Sequence, residues 1–475
     1  MDERKTLSKS LKPHWVWAIA LGSCIGWGAF VQPTNWMSTS GPLGVIIGFG
    51  AGALLMMLIA VSYGYSGGEF AYAYVGLGRT HAFICGWFLT LGYICIVALN
   101  ASALALMFKF IMPNFVQNFH MYQMAGWDVY FVEVIIATVA LAIFAYLNIR
   151  GTGLTGNIQF VFCIVMVAAI VMLTILVGGV ATNPIDNIQP FFKPGVSTIA
   201  AILSIVAIAP WAYVGFDDVP QAAEEFNFSS SKAFGLIIFA LIVAAVLYCL
   251  MILATAMAEP WINLVEDKHL WGTGYAIENV LGKTGLIILV IGLSMGIFTG
   301  LNGFILSSSR LLFAMSRANV LPKVFSKLHP KYNTPYIGVL FTTFLSMLAP
   351  WFGREVLLWV VDMSSIGVSI AYFYACFAAY VQFEWSGKKG IINRLVSPIK
   401  KLISMAGMMA SICFITLLLV PGSPAYLGLE SRLALVAWIL LGSIFYLVKR
   451  KEYNMIPEEK LKYLILGETV QTNKN

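Results

Sequence analysis

The chain reads as an all-α polytopic membrane protein, and three observations lead there. Hydrophobic residues make up 59% of its 475 positions and charged residues only 11%, where a soluble domain carries about 25% charge. The apolar residues fall into long runs, and a membrane-spanning helix needs about 20 such residues. None of these runs shows the alternation of a barrel strand, and only helices or closed barrels satisfy backbone polar groups in lipid.

Charge and Pro/Gly clusters bound twelve spans, near 14–38, 42–63, 82–111, 129–148, 155–180, 198–225, 233–258, 284–315, 335–352, 356–382, 402–421 and 432–448. With the N-terminus in the cytoplasm, 23 of the 29 Lys and Arg residues fall on the inner side and 6 outside. The asymmetry predicts cytoplasmic termini and an even number of spans in a plasma (inner) membrane. The first apolar run is long and broken by glycines, so it reads as a span rather than a cleavable leader. The segment after Lys451 reads as a short, polar, loosely ordered tail.

The seven cysteines sit inside apolar runs without metal-ligand spacing and read as packing residues. No cofactor or metal is expected. The net charge of +7 belongs to the inner loops facing the bilayer. No basic stretch is interleaved with aromatics as a nucleic-acid surface requires, so no nucleic acid is expected as a partner.

Two spans are interrupted at their centres. Span 1 reads Leu21-Gly-Ser-Cys-Ile-Gly-Trp-Gly-Ala-Phe30, and three glycines in seven residues weaken a helix. Span 6 reads Pro210-Trp-Ala-Tyr-Val-Gly-Phe-Asp-Asp-Val-Pro220, with a glycine between two prolines and then two acids. Gly/Pro breaks at corresponding places in two halves of a chain point to a transporter site. Unwinding frees amide N–H groups that suit a carboxylate and carbonyls that suit an ammonium. A broken helix thus offers both partners of a zwitterionic amino acid.

The run Gly22-Ser-Cys-Ile-Gly-Trp-Gly-Ala-Phe30, the run Tyr213-Val-Gly-Phe-Asp217 with Ala223-Glu-Glu225, the stretch from Ser309-Arg310 to Arg317 with Leu321-Pro322 and Asn333-Thr-Pro335, and Asn148-Ile-Arg-Gly151 together resemble the amino acid–polyamine–organocation transporter superfamily. The resemblance covers most of residues 10–385. It implies two five-helix repeats of opposite topology, residues 13–182 and 183–384, followed by spans 11 and 12 (385–450). Residues 1–12 and 451–475 would be cytoplasmic.

It further implies that the backbone of Gly26, Trp27 and Gly28 binds the substrate carboxylate, and that carbonyls near Ser23, Cys24 and Ile25 meet the amine. Trp211 would gate the site, with Ala212, Gly215 and Asp217 beside it. Phe298 and Ile94 would line the side-chain pocket. Trp27 departs from the usual small residue between the two glycines. The Gly67-Gly68-Glu69 motif also follows span 2 sooner than the family pattern has it.

Intramembrane acids are functional candidates. Asp217 is the candidate for contact with substrate or proton, and Asp362 for the outer cavity. Glu133 and Lys109 lie nearer the interface. Glycines spaced by four (Gly44, Gly48, Gly52; Gly292, Gly296, Gly300) suit close helix packing. Gly292-Leu-Ser294-Met-Gly296 matches a hydrolase pattern, but it lies inside a span and no histidine is near in sequence. A channel is disfavoured, since no repeated filter or charged ring is visible. A polyamine or organocation carrier is the other transporter reading.

Proton-coupled members of the superfamily carry a lysine in span 5. Here Thr155 to Val180 holds no charge, and Met166 stands near the expected place. Asn302 and Gly303 stand where sodium-coupled members offer hydroxyls. The expectation is sodium-independent exchange or facilitated diffusion, with Asp217 as the titrating group. For the topology, a tag after Asn475 and a cysteine at Asn333 are both expected to resist labelling from outside intact cells. External labelling of either would overturn the orientation.

Overall fold

In the computed structural model the described residues are 6–63, 68–124, 127–267, 269, 271–353, 356–386, 391–423 and 426–466. Residues 64–67 of the shortened Gly-Gly-Glu link, the basic residues Arg4, Lys5, Lys268, Arg354, Lys388, Lys389 and Lys474, and the tag position Asn475 lie outside them.

Proline at the first turn starts α1 (Pro13–Ile25), α3 (Pro33–Ser40) and α4 (Pro42–Val61), where its missing N–H costs nothing. Between α1 and α3 lies a single short turn of helix, α2 (Gly28–Val31). Then come α5 (Glu69–Leu77) and α6 (Arg79–Ile111). A two-stranded antiparallel hairpin follows, β1 (His120–Met124) and β2 (Trp127–Tyr130). The first half closes with α7 (Phe131–Arg150) and α8 (Thr152–Val180).

The second half opens with α9 (Thr198–Val206), α10 (Ala209–Ala212) and α11 (Asp218–Gln221), the pieces of predicted span 6. It continues with α12 (Ser230–Ala258), α13 (Gly272–Arg317), α14 (Tyr336–Ser346) and α15 (Val356–Ser386). The chain then forms α16 (Ile391–Leu419), α17 (Leu429–Met455) and α18 (Glu458–Leu466). Helix α13 turns a corner at Gly282 (φ 62°, ψ −160°), a left-handed backbone that glycine tolerates without a Cβ clash.

Among the described residues, ten helical segments are long and apolar enough to cross a membrane, against twelve expected runs. The other two runs take different forms for identifiable reasons. Span 6 is cut by its proline–glycine–proline centre into pieces of nine, four and four residues. Span 9 is a shorter apolar segment, Tyr336–Phe352, whose end tightens into a 3-10 turn at Ala349–Phe352. The hairpin at 120–130, the helix α5 and the helix before Gly282 were not visible in the apolar pattern, because none is a long apolar run.

Helix α6 is buried over 89% of its apolar window and α17 over only 22%, so α6 is central and α17 peripheral. Apolar side chains such as Ile164, Ile175, Val246, Leu433 and Val448 are exposed on α8, α12 and α17, as a lipid-facing surface requires. Helix α1 packs against α8, α12 and α13, while α6 packs against α13 and α15.

The expected loose tail is partly ordered. Leu461 and Leu464 of α18 are buried, and Glu458 meets Arg79 (2.7 Å) and the Tyr74 hydroxyl (2.5 Å). Those hydrogen bonds, Tyr74 first and then Arg79, hold the Glu458 carboxyl below the usual carboxylate range. Arg79 also donates to the carbonyls of Tyr453 and Ile456.

Candidate functional site

The two breaks lie against each other. Helix α1 stops at Gly26, whose φ of 49° and ψ of −148° end the helical ladder. Helix 6 unwinds around Gly215, at φ 125°. A Cβ at Gly215 would lie 2.7 Å from the Cys24 nitrogen and the Ser23 carbonyl carbon, so only glycine lets the two unwound backbones touch. On the other side of α1, Gly296 of α13 faces the Gly26 carbonyl, where a Cβ would collide. The neighbouring stripe glycines give room to Phe30 (Gly292) and Asn100 (Gly300). The glycine stripe on α13 therefore seats the broken helix as well as packing.

Polar groups converge on the freed backbone. The Tyr248 hydroxyl donates toward the carbonyls of Cys24 (2.9 Å) and Ala212 (2.8 Å), one from each break. The Cys24 thiol donates to the Tyr213 carbonyl at 3.0 Å. Asp217 accepts from the Gly215 N–H (2.8 Å) and the Tyr93 hydroxyl (2.8 Å). Its carboxylate is committed to holding the unwound turn of helix 6.

A cavity of about 20 Å³ lies at the break, room for little more than one water. Its wall includes Ser23, Cys24, Ile25, Gly26, Trp27, Gly28 and Trp211, all named from sequence, with Ile96, Leu99, Asn100, Val214 and Tyr248. Trp27 and Trp211 meet edge to face at 6.2 Å between centroids. A Cβ at Gly28 would sit 3.0 Å from the Trp211 ring. The large ring at position 27 thus packs on the gate residue.

Other expected residues stand elsewhere. Ala212 offers its carbonyl to Tyr248, and Gly215 packs on Ser23 and Cys24. Ile94 lies off the cavity wall, its carbonyl accepting from Ser346, because the helical turn brings Asn100 to the break instead. Phe298 points away, into Phe144 of α7 and Phe162 of α8. Asp362 accepts from Ser431 at 2.7 Å, tying α15 to α17 rather than lining a shared cavity with the breaks. Ser294 donates back to the Val290 carbonyl within α13. Lys109 and Glu133 form an ion pair at 2.6 Å.

The span 5 group facing α1 is Gln159, not Met166. Its amide nitrogen donates to the carbonyls of Ala18 and Thr299, each at 3.2 Å. Its oxygen accepts from Asn302, which in turn accepts from Asn148. A hydroxyl also faces α1 after all: Thr299 donates to the Gly22 carbonyl at 3.0 Å. Sequence reasoning missed Gln159 and Asn100: Asn100 is a lone amide near the middle of an apolar run, the available signal, whereas Gln159 stands in the first turns of span 5, two residues after Asn157. Tyr248 carried no such signal.

The end of the bundle where the chain enters α1 is held together by the quoted motifs themselves. Glu225 pairs with Arg310 at 2.8 Å, both side chains buried, and Glu224 pairs with Arg317. The Glu225 carbonyl accepts the N–H groups of Ser10 and Leu11, pinning the chain ahead of α1. Gln221 donates to Glu69. Thr334 donates to the Ile149 carbonyl, and Arg150 to Tyr332. Four sequence motifs thus meet at one end of the bundle.

A family model described as amino acid permease matches residues 15–445. The chain belongs to the amino acid permease family. This permease is 27% identical over 366 residues to the branched-chain amino acid permease BcaP of Bacillus subtilis (strain 168), covering 72% of this chain and 75% of that one. It is 26% identical to the methylthioribose transporter of the same organism over 96% of each chain. It is also 24% identical to cationic amino acid transporter 4 of Homo sapiens, covering 78% of this permease and 59% of that relative. Family and relatives are transporters, and this permease is an integral membrane transporter of the amino acid–polyamine–organocation superfamily.

Two variants probe the site and its gate. Arg310→Ala leaves Glu225 buried without its cation, a loss of about 3–5 kcal/mol; a marked fall in melting temperature is expected, and an unchanged one would show the pair to be dispensable. Gly28→Val forces a branched side chain against Trp211; at least about tenfold weaker substrate retention is expected with near-normal melting behaviour. Unchanged retention would remove the break from the binding surface.

Proposed function

We propose that this permease moves an amino acid by alternating access, holding its carboxylate on the unwound amides of residues 26–28 and its ammonium on the neighbouring carbonyls of helix α1. The observation that carries this reading is the pairing of two unwound backbones around one closed cavity. The N–H groups of Trp27, Gly28 and Ala29 have no helical acceptor behind them, whereas Phe30 and Val31 donate to the Trp27 carbonyl, and Gly26 donates to the Gly22 carbonyl at 3.3 Å and would release it to meet a carboxylate. The carbonyls of Cys24 and Ile25 face the Tyr248 hydroxyl, which a substrate ammonium can replace or share. Trp211 and Trp27 would move to admit the substrate, since the cavity now holds about one water.

The lining of Ile96, Leu99, Val214 and two tryptophans suits an apolar side chain. Asp217 is bound to its own backbone and the cavity wall includes no carboxylate, which counts against a polyamine. The branched-chain amino acid for which BcaP is named agrees with that chemistry. A second reading has its own support: the methylthioribose transporter aligns along nearly the whole of both chains, and the Asn100 side-chain oxygen at the cavity is unpaired and can accept from a hydroxyl.

The same reading takes transport to be sodium-independent exchange or facilitated diffusion, with cytoplasmic termini and repeats at 13–182 and 183–384. Gln159 supports the sodium independence. The carbonyls of Ala18 and Thr299 already receive amide hydrogens, and the Asn148–Asn302–Gln159 network is uncharged throughout. Uptake into proteoliposomes is expected to rise on preloading with branched-chain amino acid and to ignore a sodium gradient. Uphill uptake driven by sodium would refute the ion assignment. Thermal stabilisation by methylthioribose but by no amino acid would select the second reading.

A further inference from the structure

We propose that Asp218 is a proton-binding site whose carboxyl carries a proton while the cytoplasmic path is closed and releases it when the inner half of α1 moves away. The inference rests on the alternating-access reading above. Asp218 stands at the start of α11, on the cytoplasmic side of the helix 6 break. It is completely buried, and neither carboxyl oxygen has a hydrogen-bond partner. The Ser23 hydroxyl, 4% exposed on α1, is unpaired as well.

Both groups face one notch, made by the missing side chain of Gly303 on α13. A Cβ there would lie 3.1 Å from Asp218 Oδ2 and would collide with Ser23 Oγ. Ser307 reaches only the Asp218 carbonyl, at 3.5 Å. The adjacent Asp217 has the opposite situation, with a backbone N–H and a tyrosine hydroxyl on its oxygens. Two neighbouring acids therefore have separate tasks: Asp217 holds the turn, and Asp218 is left without a structural role.

The titratable groups facing Asp218 are Cys24 from α1, Tyr93 from α6, Glu69 from α5 and Asp217 beside it. None of these is a cation. Arg310, two turns further along α13, is committed to Glu225. An ionised carboxylate with neither water nor partner is very costly to bury. A protonated one gains a donor, and Ser23 Oγ is the acceptor within the notch. The unpaired oxygens are those of Asp218 and Ser23, too few for a hard cation that takes about six. The proton comes from cytoplasmic water, forming one O–H bond as the gate closes, and returns to water when α1 swings out. Low cytoplasmic pH thus favours the closed inner gate and high pH the open one.

The test is a distance measurement by pulsed electron paramagnetic resonance on full-length protein in vesicles. Spin labels replace the exposed Lys12 and Lys323, in a background lacking native cysteines. Between roughly pH 5 and pH 8.5, the unaltered site is expected to pass from one short distance to a growing longer one. Asp218→Asn, neutral at every pH, is expected to keep the short distance throughout. A pH response in Asp218→Asn equal to that of the parent, or none in the parent, would overturn the proposal. Closure at high pH on adding sodium would assign the notch to a cation instead. If the distances respond as expected while the protein neither binds nor moves an amino acid, the proposed substrate fails and the proton site stands.

Discussion

Unwound backbone in a lipid-embedded interior must find partners inside the protein, because lipid offers no water to its N–H and C=O groups. The centre of this permease is organised around that requirement at two places at once. Tyr248 serves a carbonyl from each break, Asp217 serves the Gly215 amide, Thr299 serves Gly22 and Gln159 serves Ala18. The glycines of α13 bring that helix close enough for these bonds to form. Groups left over at the break, the amides of residues 27 and 28 and the Asn100 oxygen, are the ones a substrate can use.

Charge is distributed with the same economy. Around the break the bonded network is made of amides, hydroxyls, one thiol and the Asp217 carboxyl, while the ion pairs Glu225–Arg310 and Glu224–Arg317 stand apart from it, at the end of the bundle where the chain enters α1. A buried ion pair is sustained by geometry and is strongly destabilised when one partner leaves. That makes it suited to a gate with two discrete states. Motion at the break separates no ion pair, whereas motion at the other end of α1 must separate two. Asp218 lies between the two zones and shares the character of neither.

Much of this was legible from residue order. The broken first and sixth spans, the glycine stripe and the acidic and basic motifs all lie where the reading placed them. Of the candidate residues, Ser23 to Gly28 and Trp211 line the cavity, and Ala212, Gly215 and Asp217 hold the unwound backbone behind it. Those carried over from more distant positions, Ile94, Phe298 and Asp362, point into helix packing. Rotational phase is the reason: helical residues four apart share a face, but an uncertainty of one or two positions turns a side chain to the opposite side. Met166 lies seven residues beyond Gln159, two turns along the same helix face, so that miss was a shift along the helix axis rather than a rotation.

The sequence by itself determined that the chain crosses a membrane, which spans must break and which residue types stand at the breaks. Composition, run length and Gly/Pro placement are local properties, and local physics reads them directly. Only the tertiary structure decided which partners the broken backbone finds. Tyr248, Gln159 and Tyr93 come from three other helices, 36, 141 and 124 positions from the Ala212, Ala18 and Asp217 atoms they satisfy. It alone separated Asp217 from Asp218, adjacent acids of the same charge. Their difference lies in which neighbouring helix presents a donor to each, and that is fixed by packing between helices rather than by the order of residues within one.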